Sequence, residues 1–143
     1  MDIKGFQGEY RFLSNFYPCK VVFEGFTYKS SEAVYQAQKF TDSPGFPLTF
    51  PILDAREARR QGQLMPARKD WEKEKGNIMY RILRAKFTQN SDLKVKLLGT
   101  GTDYLEETNY WHDIFWGVYN GVGENHLGRL LMLVRDEVRE GII

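Results

Sequence analysis

Apolar residues recur at helical spacing in four stretches of the chain, and they predict helices that begin after Ser30 or Ser31, at Trp71, after Asn90 or Ser91, and after Asn125. A fifth, short helix is predicted after the capping residue Asp54. The expected ends are near Arg60 to Gly62 for the second helix, about Phe87 for the third and Gly99 for the fourth. The chain is therefore expected to be rich in helix.

Short apolar runs between these stretches predict a few strands. The expected strands are Tyr10–Leu13, Val21–Phe23, Asp103–Glu107 and Phe115–Tyr119. The segment from residue 41 to residue 51 contains three prolines and one glycine and is expected to be irregular. Such a segment is often a lid, although Phe46, Leu48 and Phe50 are expected to fix part of it.

The first predicted helix carries the clearest candidate chemistry. Glu32, Gln36 and Lys39 fall on the face opposite the apolar stripe. Seven residues are two turns, so Glu32 and Lys39 lie about 10 Å apart along the axis, too far for the ion pair of residues four apart. A ligand the size of a sugar fits between them. The alternative is a polar face that is simply solvated.

Length and composition set the class of protein. The chain has 143 residues, of which 42% are hydrophobic and 27% are charged. This length suits one domain over residues 1–143, and the composition is that of an ordinary globular protein. The net charge of +1 excludes a strong global field for DNA or RNA, so any nucleic-acid contact would be local. Aromatic residues make up 15% of the chain, enough for a core or for stacking surfaces.

The scarcity of metal-binding residue types and the absence of long apolar runs exclude several further classes. With one cysteine and two histidines, we expect no disulfide and no metal site, and nothing in the sequence calls for a cofactor. No stretch approaches the roughly 20 apolar residues that span a bilayer, and the N-terminus has no signal-peptide run. We therefore expect a cytoplasmic protein without a membrane partner or an obligate protein partner.

Four further candidates for substrate binding lie elsewhere in the chain: Asn15, Phe16, Arg68 and Trp71. Asn15 stands in a loop flanked by aromatic residues such as Phe16, where it either caps a turn or binds a ligand. Arg68 belongs to a group of cations that suits a phosphate, although a solvated surface is an equal alternative. Trp71 opens the third helix, either as a packing anchor or as a ring that protrudes into a cleft.

The segment after residue 108 holds a second group of candidates. Asp113 lies among aromatic residues, where a partly shielded carboxylate can handle protons, unless it serves a cap or a turn. Trp116 and Gly117 offer a flat ring beside a small residue. Gly123 and Asn125 precede the last helix and are expected to form a backbone site for a phosphate, although this signal is weak alone.

Six short motifs in this order resemble the NADAR family, the YbiA-like N-glycosidases, and they extend over nearly the whole chain. They are Phe12-Leu-Ser-Asn-Phe16, Ser31-Glu32 through Tyr35-Gln-Ala-Gln-Lys39-Phe40, Arg68-x-x-Trp71, Ala85-Lys-Phe87, Asp113-x-x-Trp116-Gly117 and Gly123-x-Asn125-x-Leu-Gly128-x-Leu-Leu-Met132. Any one of them is weak, whereas six in order are strong.

The resemblance implies a single helix-rich α+β domain that cleaves a C–N glycosidic bond. It also implies two substrate classes: phosphoribosylamino-pyrimidine intermediates of riboflavin synthesis, and ADP-ribose attached to guanine, free or in nucleic acid. Glu32, Trp71 and Asp113 match family residues tied to activity, and Trp116 lies in the same motif as Asp113. Lys39 matches the motif lysine, and its role as a covalent trap for an opened sugar is our inference from amine chemistry.

Two other function classes remain open at this stage. The first is a module that binds ADP-ribose or a related nucleotide without cleaving it. The second is a structural interaction domain, which leaves the polar face of the first helix unexplained.

Overall fold

The computed structural model describes residues 1–44 and 48–143. Within these residues there are five α-helices: α1 (Ser31–Gln38), α2 (Ala55–Gly62), α3 (Trp71–Gln89), α4 (Ser91–Gly99) and α5 (His126–Arg139). Four short strands accompany them: β1 (Asp2–Lys4), β2 (Val21–Phe23), β3 (Phe26–Tyr28) and β4 (Tyr104–Glu106). Two 3-10 helices cover Gly8–Leu13 and Phe50–Ile52. The prediction of a helix-rich α+β fold with a few short strands is confirmed.

The chain divides into two compact units. The first contains residues 1–14 and 91–143, and the second contains residues 15–90. The prediction of one domain over residues 1–143 stays a prediction.

In the second unit, α1 packs against α2 and α3, and α3 packs against β2. The strands β2 and β3 form an antiparallel hairpin in which Val21 pairs with Tyr28. Glu24 and Gly25 make its two-residue turn with positive φ angles of 50° and 85°, as such tight hairpins require. The core contains aliphatic and aromatic residues from every element, including Val34, Met79, Ile82, Leu83 and Phe87.

In the first unit, β1 and β4 pair in parallel, with Ile3 opposite Leu105. The helix α5 packs against β4 and α4. The buried stripe of α5 contains Leu127, Leu131, Val134 and Val138.

Two predicted strands are wrong. Tyr10–Leu13 lies within the 3-10 helix Gly8–Leu13. Its two buried residues, Phe12 and Leu13, are adjacent along the chain, whereas a strand with one buried face would bury alternate residues. Phe115–Tyr119 forms only isolated bridges, at Val118 and Tyr119. Conversely, the pattern did not predict β1 or β3.

The segment that was predicted to be irregular, residues 41–51, includes the start of a 3-10 helix. Phe50 begins the short 3-10 helix, is buried and stacks on Phe40 with ring centroids 5.9 Å apart, as expected of an anchoring residue. Leu48 is 73% exposed, so its predicted anchoring role is wrong. Phe46 lies outside the described residues.

Candidate active site

The first turn of α1 is held by the loop that precedes β2. Ser30 is the N-cap, and its hydroxyl accepts a 3.1 Å hydrogen bond from the Ala33 backbone N–H. The carbonyl of Asn15 accepts from the Glu32 backbone N–H at 3.0 Å. The Asn15 side chain accepts from the Ser31 hydroxyl at 2.9 Å, and its amide nitrogen lies 3.6 Å from the Met79 sulfur. The Asn15 side chain thus holds the start of α1, and the prediction that Asn15 binds substrate stays a prediction.

The polar face of α1 is buried. Glu32 is 8% exposed and Gln36 is 4% exposed. The Gln36 Nε2 donates to the Glu32 Oε2 over 2.6 Å, a short bond of the kind that a charged acceptor makes. The alternative of a solvated polar face is therefore wrong for these two residues.

Lys39 follows the last turn of α1 and is partly withdrawn from water. Burial lowers the pKa of its amine, and the charges of Arg59 and Lys75 act in the same direction, while Glu32 and Glu72 oppose them. An amine with a lowered pKa has a larger neutral, nucleophilic fraction near pH 7.

An aromatic pair lies beside this amine. The Lys39 Nζ is 5.8 Å from the centroid of the Tyr35 ring, which tilts against Trp71 with centroids 5.1 Å apart. Trp71 is 5% exposed, so the structure favours the packing anchor over a ring that protrudes into a cleft. Phe16 is 36% exposed and lies 5.9 Å from the Arg59 guanidinium, so it is the more accessible aromatic surface.

Arg68 is engaged within the protein. Its guanidinium makes two hydrogen bonds to the Asp70 carboxylate, at 2.6 and 3.0 Å, and one to the Thr41 hydroxyl at 2.8 Å. This pairing raises the pKa of Arg68 and lowers the pKa of Asp70. The backbone N–H of Arg68 also donates to the Lys39 carbonyl at 2.8 Å. Arg68 thus holds the segment that follows α1 through its bonds to Lys39 and Thr41. Its charge is largely offset by Asp70.

Asp113 belongs to the first unit and caps a turn. Its Oδ1 accepts from the backbone N–H groups of Phe115 and Trp116, at 3.1 and 2.9 Å. The buried Asn109 amide accepts from the Asp113 N–H at 3.0 Å and donates to its carbonyl at 2.8 Å. The turn function that the sequence left open for Asp113 is therefore present, and its catalytic role stays a prediction.

Two glycines of this segment are required by close packing. A Cβ on Gly117 would lie 2.1 Å from the Glu107 carbonyl oxygen, and one on Gly123 would lie 2.2 Å from the Gly117 carbonyl oxygen. Trp116 is half-buried, in edge contact with Phe115. These glycines bring backbone against backbone, and the prediction that Gly117 and Gly123 bind substrate stays a prediction.

Asn125 has a structural role that differs from the predicted one. It stands at the N-cap of α5 with a left-handed φ of 52°, but its side chain makes no capping bond. Its amide instead accepts from the Glu107 N–H at 3.0 Å and donates to the Leu105 carbonyl at 2.9 Å. Asn125 therefore fastens the start of α5 to β4.

The expected phosphate site before α5 is not supported by the geometry. The backbone N–H groups of residues 124, 125, 126 and 127 donate to the carbonyls of residues 114, 117, 115 and 116, in that order. These donors are already used by the protein and are not directed at a ligand. The prediction that Gly123 and Asn125 bind a phosphate gains no support from these bonds and stays a prediction.

Sequence reasoning missed several residues that shape these sites. Gly62 and Asn109 act through close packing and buried hydrogen bonds, which no local pattern indicates. Tyr35 was placed only within a motif, although its ring joins Lys39 to Trp71. Among residues 1–44 and 48–143, no group of three His, Cys, Asp or Glu side chains is arranged to hold a metal ion.

Residues 4–139 match the NADAR domain family. The chain belongs to this family. It is 36% identical over 135 residues to the N-glycosidase YbiA of Escherichia coli, covering 91% of this chain and 82% of that protein. It is also 42% identical over 135 residues to a riboflavin biosynthesis protein of Vibrio vulnificus, covering 90% of this chain but only 36% of that protein. The N-glycosidase relatives support a hydrolase that acts on N-glycosyl bonds.

A solved structure agrees with this membership. The NMR structure of Escherichia coli YbiA matches with a TM-score of 0.86 at 33% identity, over 99% of this chain and 89% of that one. The family resemblance and the fold class predicted from the motifs are thereby confirmed. Within the described part of the chain, no helix combines the length and apolar character needed to cross a bilayer.

Proposed function

We propose that this NADAR chain hydrolyses the C–N glycosidic bond of a sugar that carries phosphate, with Glu32 as the central carboxylate. The substrate class is either a phosphoribosylamino-pyrimidine of riboflavin synthesis or ADP-ribose attached to guanine, as nucleotide or in nucleic acid. The name of the Vibrio relative supports the first class. The near-neutral charge of the chain favours a small substrate or a single displaced base over a long nucleic-acid tract.

The observation that carries this proposal is a buried acid on the same helix as a partly desolvated amine. Glu32 is withdrawn from water on α1, and its charge acts on Lys39 two turns further along. Cleavage of an N-glycosidic bond develops positive charge on the sugar, and a carboxylate in a water-poor site stabilises that charge strongly. The same carboxylate accepts a proton from the attacking water, a contribution of about 10²–10⁴ in rate.

The charges around Lys39 support a phosphorylated sugar. Arg59 and Lys75 both influence the Lys39 amine electrostatically, so three cations lie in one electrostatic neighbourhood of the second unit. Such a group attracts the anionic phosphate of a nucleotide while Glu32 faces the reacting carbon. Phe16, beside Arg59, is the accessible ring on which the departing base is expected to stack.

The test is a panel of defined substrates with product identification. The purified protein is incubated with ADP-ribosylated guanosine, with single-stranded DNA that carries the same modification, and with the riboflavin-pathway intermediate. A chelator is present throughout, because we expect no metal to take part. Mass spectrometry of the products is expected to show a free base and the matching sugar phosphate from at least one substrate. Binding of ADP-ribose without cleavage of any substrate would favour the binding module instead.

A further inference from the structure

Gln36 donates its amide N–H to Glu32, and its carbonyl oxygen has no partner among the described residues. Its Nε2 bonds the Glu32 carboxylate at 2.6 Å. Its Oε1 is buried and has no hydrogen-bond partner within the residues that the structure describes. An unsatisfied buried acceptor destabilises a fold, so each one calls for an explanation.

Gly62 explains how the amide is held in this orientation. A Cβ at Gly62, the last residue of α2, would lie 1.9 Å from the Gln36 Oε1 and 2.7 Å from its Cδ. The φ angle of Gly62 is not in the left-handed region, so its backbone conformation does not require glycine. A side chain here would force the Gln36 amide to move, because α2 packs directly on that amide.

We propose that Gln36 is a positioning residue that orients the Glu32 carboxylate and keeps it ionised, and that Gly62 keeps Gln36 in place. This inference rests on the proposed function of Glu32. A hydrogen bond to the charged form of a buried carboxylate favours that form over the protonated one. The Gln36 nitrogen is a donor, so this contact needs the Glu32 Oε2 to act as an acceptor, as it does in the ionised carboxylate.

The neutrality of the partner matters for the chemistry. An arginine or lysine at this distance would cancel the negative charge that Glu32 offers to the developing positive sugar. A glutamine amide fixes the carboxylate without neutralising it. Because Gln36 is 4% exposed, direct contact with substrate, as the sequence suggested, is a poorer account of its position.

The first test measures the carboxylate itself and needs no substrate. The side-chain carboxyl carbon of Glu32 is followed by NMR during a pH titration of the wild type and of Gln36→Met, which keeps volume but removes the donor. We expect the titration midpoint of Glu32 to rise by about one pH unit or more in the variant. An unchanged midpoint would overturn the inference.

The second test uses rates. Gln36→Met should lower kcat by up to about 100-fold with little change in KM, and should move the acid limb of the kcat profile to higher pH. Gly62→Ala should lower kcat in the wild type, but should have little effect in a Gln36→Ala background, where the colliding amide is absent. Gly76→Ala is the matched helical control, because a Cβ there meets nothing within 4 Å.

The outcomes separate this inference from the proposed function. If Glu32→Gln is inactive while Gln36→Met keeps the wild-type rate, pH profile and titration midpoint, Gln36 does not position Glu32 and the proposed function stands. If Glu32→Gln is fully active, the proposed function fails, and the titration midpoint alone decides whether Gln36 holds the carboxylate. If Gly62→Ala has the same effect with and without the Gln36 amide, the role of Gly62 is wrong.

Discussion

The Lys39 amine lies 5.8 Å from the centroid of the Tyr35 ring, one turn earlier on the same helix. A ring face attracts the charged form of an amine. Burial lowers the pKa of this amine, which increases its neutral fraction. The lowered pKa suits Lys39 to a role as a nucleophile, and that role stays a prediction.

We therefore predict that Lys39 forms a covalent intermediate. The neutral amine attacks the aldehyde carbon of the opened sugar, water leaves, and a C=N bond results, which hydrolysis later reverses. Borohydride added during turnover reduces this bond and should leave a sugar adduct on the peptide that contains Lys39. Trapping should increase as pH rises through the lowered pKa of Lys39, because the neutral amine reacts.

Lys39→Arg should abolish the adduct, and Lys69→Arg, at an exposed neighbouring lysine, serves as the control. Full activity of Lys39→Arg, together with no adduct in the wild type, would reduce Lys39 to a contact for phosphate or hydroxyl groups.

Trp71 is predicted to act through stability. Its ring is buried against Tyr35, so Trp71→Ala should lower the free energy of unfolding by about 3–5 kcal/mol. Trp71→Phe keeps an aromatic ring there and should retain kcat/KM within about tenfold, with a smaller loss of stability. Denaturant unfolding and steady-state rates on the same samples check both. A stable Trp71→Phe with a greatly raised KM would instead place the indole against the substrate.

Asn125 is predicted to be a structural residue, and Asn120 provides a matched control. Both have a left-handed φ, 52° and 49°. Alanine in the left-handed backbone conformation lowers the free energy of unfolding by about 1–2 kcal/mol at either position. Only Asn125→Ala also loses buried hydrogen bonds, to Leu105 and Glu107. Urea unfolding should show Asn125→Ala to be less stable than Asn120→Ala by about 1–3 kcal/mol. Equal losses would show that the Asn125 amide contributes nothing.

The buried Lys86 predicts a stability change at alkaline pH. Burial lowers the pKa of its amine to about 8, whereas the unfolded chain has the ordinary value of 10.5. The unfolded state therefore binds more protons between these values, so the cost of burying the charged amine is present below pH 8 and is relieved as pH rises towards 10.5. The cost corresponds to about 3 kcal/mol.

Lys86→Met should consequently be more stable than the wild type at pH 7, with an advantage that shrinks between pH 8 and pH 10. Urea unfolding at three pH values measures this. The window stops at pH 10, because burial raises the pKa of Tyr28 to about 12 and the wild type and variant both lose stability above 10 from that phenol. An advantage independent of pH would contradict the burial of a titrating amine.

The helices could be predicted well from the sequence because the residues that begin and orient a helix are close together along the chain. Ser30, Asp54 and the spacing of apolar residues mark helix starts and faces without reference to distant parts of the chain. The strands β1 and β4 were harder: each has three residues, and their parallel pairing joins residues about 100 positions apart. Only tertiary contacts decide such a pairing.

The same distinction applies to the candidate site. The helical period placed Glu32, Gln36 and Lys39 on one face. It did not reveal that Gln36 bonds Glu32 under the backbone of Gly62, since that depends on how α2 packs on α1. Likewise, Asn125 has the sequence signature of a helix cap, but its amide is used by β4. Local sequence patterns do not predict which partner an amide side chain bonds, because the tertiary fold decides which groups lie within reach.

The most direct measurement of the central claim compares two buried carboxylates. Glu32 and Glu106 are each 8% exposed, but Glu106 accepts from the hydroxyls of Thr108 and Tyr104 and belongs to the other unit. Glu32→Gln and Glu106→Gln are assayed by release of free base from whichever substrate the wild type cleaves, with melting temperatures recorded in parallel. We predict that Glu32→Gln lowers the rate by about 100-fold or more while its melting temperature stays within a few degrees of the wild type, and that Glu106→Gln keeps its activity. Release of base by Glu32→Gln at the wild-type rate would contradict the account.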